Sequence, residues 1–133
     1  MICTLDNAIV LVVDVQPNFM KTIPDAEAIT RRTEFLVQCA SVLEVPVYAT
    51  EQVPERMGST NPVLRPYIPE QRIYAKTAFS CAGSEALMAA LDSEDRQQVV
   101  LVGVETHICV CQTALDFVRE GFDVFAAADA ISS

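Results

Sequence analysis

The run AIVLVVDVQ, residues 8–16, constrains the fold more than any other stretch of the chain. It opens with six apolar residues in a row, four of them β-branched, with no polar residue between them. A strand with one wet face alternates apolar and polar side chains. An unbroken run suits a strand covered on both faces, as in a parallel sheet between two helix layers. QVVLVGV (98–104) has the same character, and VPVYAT (45–50), RIYAK (72–76) and DVFAAA (123–128) complete five predicted strands. Residues 25–43 place Ala28, Ile29, Phe35, Leu36, Cys39 and Leu43 at helical spacing. Residues 83–93 predict a second helix with Ser84 as its N-cap. Residues 106–121 predict a third, closed by Gly121. The Pro-, Gly- and Ser-rich stretch 51–71 reads as one long ordered loop. The alternation of strands and helices predicts an α/β fold: a three-layer αβα Rossmann-like sandwich with a mostly parallel sheet, in one domain over 1–133.

Charge and cysteines narrow the partners. Nine Lys and Arg against eighteen Asp and Glu give a net charge of -9. That field repels phosphate backbones and anionic lipid, so neither nucleic acid nor a membrane surface is expected as a partner. No apolar run reaches the ~18 residues needed to span a bilayer. The start, MICTLDNAIVLVVDVQ, lacks a basic segment and carries an acid in its apolar run, which does not suit a signal peptide. Five cysteines (Cys3, Cys39, Cys81, Cys109, Cys111), odd in number and irregularly spaced, predict free thiols in a reduced, cytoplasmic protein.

In a parallel sheet of this kind the ligand crevice lies beyond the carboxyl ends of the strands. The first predicted strand runs into Asp14, the third into Lys76, and the fourth leads through Gly103 into the helix that holds Cys109. An acid, a cation and a thiol from distant positions are thus expected at one edge. Asp14 follows an apolar run, so it should be partly buried, where an unpaired carboxylate is costly; Lys76 is the obvious partner.

Cys109 and Cys111 sit in VGVETHICVCQTAL (102–115), just after the only histidine, His107. Residues two apart on a helix do not face each other, so His107 is a poor base for Cys109. A helix N-terminus and a nearby lysine are then the expected activators, both lowering a thiol pKa. Asp14 could take the thiol proton and return it to a leaving group. Cys109 and Cys111 lie about 200° apart around a helix, so only one faces the crevice; Cys111 is expected to pack. A metal site from His107, Cys109 and Cys111 is disfavoured by helical geometry and the want of a fourth ligand.

Four blocks then carry a resemblance: VVDVQPNF (12–19), TEQVPERMGST (50–60), KTAFSC (76–81) and GVETHICVCQTALDF (103–117), followed by AADAISS. The chain resembles the isochorismatase-like cysteine hydrolases, in the branch called isochorismatase domain-containing proteins. The resemblance implies a catalytic triad of Asp14, Lys76 and Cys109. It implies a cis peptide between Val104 and Glu105, and an oxyanion hole from the backbone N–H groups of Glu105 and Cys109. It implies acyl transfer on a small amide-type substrate, no cofactor, and a homo-oligomer. The metal-binding nicotinamidase branch carries histidines after the second strand, and this chain has none there. True isochorismatases lack the cysteine. Phe19, Glu51, Gln52, Phe79 and His107 are candidates for contact with substrate. Tyr74 and Cys81 read as packing residues. Family chains usually continue with a further helix and strand, so the resemblance implies either an absent terminal segment or a short variant of the domain. A silent scaffold that keeps the fold, or a thiol redox sensor at Cys109 or Cys111, are the rival readings.

Overall fold

The computed structural model describes residues 1–133. Its elements in order are β1 (Ala8–Val13), α1 (Pro17–Met20), α2 (Ala26–Val42), β2 (Val47–Gln52), α3 (Pro54–Met57), β3 (Ile73–Lys76), α4 (Glu85–Ser93), β4 (Gln98–Val104), α5 (Cys111–Arg119) and β5 (Asp123–Ser132). The strands form one sheet in the order β3-β2-β1-β4-β5, and every neighbouring pair is parallel. The fold is the expected α/β sandwich.

The unbroken apolar runs fill two cores, one on each face of the sheet. In β1, Ala8, Val10 and Val12 join the core under α2, while Ile9, Leu11 and Val13 join the core under α4 and α5. β4 divides in the same way, with Val99 and Leu101 on one side and Val102 and Val104 on the other. Side chains alternate along a strand, so a strand apolar at every position serves two layers at once. Phe117 of α5 is fully buried and its ring packs tilted against Phe122, just past the helix, with centroids 5.5 Å apart. Between them Gly121 takes φ 96°, and Phe122 N–H bonds the Phe117 carbonyl. This left-handed turn ends the helix and points the chain into β5. Ser84 caps α4 by accepting from Leu87 N–H.

Several boundaries differ from expectation, β5 among them, which runs on to Ser132. β2 runs to Gln52, because Glu51 and Gln52 pair with Ala75 and Lys76 of β3. The long loop holds α3 and two short turns, at Arg65–Tyr67 and Glu70–Arg72. The predicted third helix is two pieces: a π-helical turn over Thr106–Val110, then α5.

Candidate active site

β1 ends by handing the chain to Asp14, which takes φ 52°. Aspartate tolerates this left-handed conformation better than bulkier residues, and here it turns the carboxylate in over the strand ends. Beside it, Gly103 of β4 sits in register with Val13, at φ 114°. A Cβ on Gly103 would stand 2.1 Å from the Val13 carbonyl oxygen. Only glycine lets the two backbones approach so closely, and that approach brings the following turn next to Asp14. The Val104–Glu105 peptide is cis. Past it, Val110 N–H reaches back five residues to the Glu105 carbonyl, which makes the turn π-helical. Such turns recur at functional sites.

Lys76 arrives from β3 across β2 and is the hub. Its Nζ donates to Asp14 Oδ2 at 2.9 Å, Gln52 Oε1 at 2.6 Å, the Phe79 carbonyl at 2.8 Å and the Ala78 carbonyl at 3.1 Å. Cys109 Sγ lies 3.7 Å from the same nitrogen. An ammonium has three protons, so these contacts share them and hold the group as a fixed cation. The second oxygen of Asp14, Oδ1, accepts from Thr50 Oγ1 at 2.8 Å. Asp14 and Thr50 are fully buried and Lys76 nearly so. The acid, the cation and the thiol that the strand ends suggested are therefore one connected cluster.

Cys109 is 4% exposed and Cys111 is exposed, so the two thiols are separated as expected, but Cys111 faces solvent and does not pack. The expected lowering of the Cys109 thiol is reversed. Burial and then the charge of Asp14 push it up to about 12, against a smaller opposing pull from Lys76. The turn around Cys109 is π-helical and α5 begins only at Cys111, so no α-helical N-terminus points at the sulfur. At rest the residue is a thiol with a carboxylate beside it.

The other candidates divide. Glu51 and Gln52 are buried strand residues and not part of a solvated loop. Glu51 Oε2 accepts from Thr60 N–H at 2.5 Å and Thr60 Oγ1 at 2.8 Å, with Arg65 at 3.8 Å. Glu51 thus anchors the loop after α3. Gln52 directs its amide nitrogen to the Thr77 carbonyl at 2.9 Å, which leaves its oxygen for Lys76. Phe19 packs against the core under α2. Phe79 is 56% exposed, and only its carbonyl enters the cluster. His107 is exposed, its Nδ1 3.0 Å from Ser133 Oγ. Tyr74 and Cys81 pack against the core under α4 and α5.

Two residues of this cluster carried little signal of their own in the sequence. Thr50 reads as an ordinary β-branched strand residue. Gln16 is fully buried: its Nε2 donates to the Gln52 and Gly58 carbonyls at 3.0 and 2.7 Å, and its Oε1 accepts from Gln52 N–H at 2.7 Å. The DVQ that ends the first apolar run was the available hint: a glutamine so near a buried strand must bond to something. None of the five cavities in the chain is lined by Cys109. Lys76 borders one of about 340 Å³ beside β3, with Val53, Pro54 and Ala75.

The class is thus an α/β protein whose parallel strand ends gather a carboxylate, an ammonium and a thiol. Residues 8–133 match the isochorismatase domain family. Isochorismatase domain-containing protein 2 of Xenopus laevis is 35% identical over 127 residues, which are 96% of this chain and 61% of the frog protein. The structure of MAR1 ribonuclease from Caenorhabditis elegans superposes with a TM-score of 0.91 at 33% identity, over 98% of this chain and 67% of the nematode one. The YcaC gene product of Escherichia coli, an octameric hydrolase of unknown specificity, gives 0.91 at 25% identity, over 98% and 66%. The chain belongs to the isochorismatase domain family. It spans less than two thirds of the length of the frog relative.

Proposed function

We propose that the chain is a cysteine hydrolase that cleaves a small amide-type substrate through a thioester on Cys109. The observation that carries this reading is the Lys76 ammonium, 2.9 Å from Asp14 Oδ2 and 3.7 Å from Cys109 Sγ in a buried cluster. Cys109 Sγ attacks the carbonyl carbon while its proton passes to Asp14. The carbonyl oxygen becomes an oxyanion, taken up by the N–H groups of Glu105 and Cys109. As the C–N bond breaks, Asp14 gives the proton to the leaving nitrogen. Water then attacks the thioester as Asp14 takes its proton; the C–S bond breaks to release an acid, and Asp14 passes that proton to Cys109 Sγ, restoring the thiol. Lys76 stays a cation throughout. Its field offsets the carboxylate at rest and the thiolate as it forms.

The reading predicts ammonia or amine release from some member of a panel of small neutral amides, lost in Cys109→Ala. Turnover that survives in Cys109→Ala refutes it. RNA is the second substrate to test, because the nematode relative is a ribonuclease. The net charge of -9 disfavours it here, since a phosphate backbone is repelled. We also read the chain as a homo-oligomer, as the octameric Escherichia coli relative is. Light scattering that returns the mass of one 14.5 kDa chain overturns this.

A further inference from the structure

β2 carries none of the three residues assigned to the chemistry, yet it lies between the strands that end at Asp14 and Lys76. Side chains alternate along it, so Thr50 and Gln52 share one side and Glu51 takes the other. Gln52 bonds Lys76 and Thr50 bonds Asp14. The Thr50 contact has a direction. A threonine hydroxyl has one proton, and the fully buried Cys81 thiol donates to Thr50 Oγ1 at 3.6 Å. With an oxygen lone pair so occupied, the hydroxyl proton is left for Asp14 Oδ1 at 2.8 Å. The charged and titratable groups facing Asp14 are Lys76 from β3, Cys109 from the π-helical turn and Cys81 from the turn after β3.

We propose that Thr50 is a positioning residue that decides which member of the Asp14–Cys109 pair holds their shared proton. A hydroxyl donating to a carboxylate stabilises the charged form and gives the neutral acid much less. With Thr50 in place the proton rests on sulfur, and the thiolate exists only as a minor form with the proton on Asp14. Without the hydroxyl the balance moves toward protonated Asp14 and Cys109 thiolate. The nucleophile is then more abundant, but Asp14 is a weaker acid toward the leaving nitrogen. This rests on the acyl-transfer reading and adds a residue that sets its proton balance.

The test is the iodoacetamide alkylation rate of Cys109 against pH, read by peptide mass spectrometry. In the wild type the rate has two parts: a low neutral plateau from the minor thiolate form, and an alkaline rise as the thiol titrates beside ionised Asp14. Thr50→Val raises the neutral plateau about tenfold, the size of one hydrogen bond to a charged group, and leaves the alkaline rise in place. Thr50→Ser keeps the hydroxyl and restores the wild-type plateau. Thr50→Ala stands in for the valine variant if that one does not fold. An unchanged plateau in the variants lacking the hydroxyl overturns the proposal. So does an equal acceleration at every pH, which reports a loosened site and not a moved proton. Asp14→Asn tests the underlying reading separately. It should collapse the profile to one titration with a lower midpoint, and a wild-type profile in that variant removes Asp14 as the base whatever Thr50 does.

Discussion

Two turns place a buried thiol beside Asp14, and they differ in what else the sulfur meets. The turn at Cys81–Gly83 encloses Cys81 completely, with its Sγ on Thr50 Oγ1 and its N–H on Thr113 Oγ1 at 2.9 Å. The π-helical turn at Thr106–Val110 leaves Cys109 slightly open and sets its Sγ against the Lys76 ammonium. Burial and the Asp14 carboxylate push both thiols up, Cys81 to about 11 and Cys109 to about 12. Acidity at rest therefore does not separate the proposed nucleophile from a packing residue here. Access, and direct contact with the Lys76 ammonium, do.

The sharpest way to break this comparison is to remove each sulfur. Cys109→Ala should lower hydrolysis on the order of 10⁴-fold or more, as loss of a nucleophile does. Cys81→Ala should lower it by no more than about tenfold, the value of one hydrogen bond. Steady-state rates on whichever amide responds check both, and equal losses would erase the distinction.

Next is the cation itself. Lys76→Met leaves a carboxylate buried without its charge partner, and urea unfolding should show a loss of about 3–5 kcal/mol. The Glu27–Arg31 pair on α2, 2.8 Å apart but with both side chains mostly exposed, is the control. Glu27→Ala should change stability by no more than about 0.5 kcal/mol.

The pH dependence of stability falls between these. Both thiols are raised in the folded chain above an ordinary value of 9.0. The folded state therefore holds protons that the unfolded chain releases above pH 9, and this contribution is full below that pH. Stability should fall as pH rises from 9 toward 11, by about 1.4 kcal/mol per pH unit for each thiol still protonated. Chemical denaturation at stepped pH measures the slope, and an alanine at either cysteine should make it shallower.

Much of the fold was legible because β1, and β4 after Gln98, are apolar at every position, which few architectures accept. Asp14, Lys76 and Cys109 were legible because each lies at or beyond a strand end, where a parallel sheet collects its chemistry. The direction of the Cys109 shift was not. It depends first on how deeply the folded chain buries Cys109 and then on how close Asp14 comes, which follows from the Gly103–Val13 approach, a contact between residues 90 apart in sequence. Glu51 and Gln52 looked like loop residues because charged and amide side chains suit solvent. Their pairing with β3, and their partners Thr60 and Lys76, exist only after the sheet assembles. Thr50 was invisible for the opposite reason, since a threonine in a strand needs no explanation.

Gln16 has a consequence for motion. It fastens the end of the first crossing of the sheet both to Gln52 and to Gly58, while Thr60 is held by Glu51. The segment from Val53 to Thr60 is thus tethered at both ends by buried polar groups that lose their partners if it lifts. Such a segment opens as one cooperative body, rarely and all at once, so slow and equal hydrogen exchange of the Gln52 and Thr60 amides is its signature.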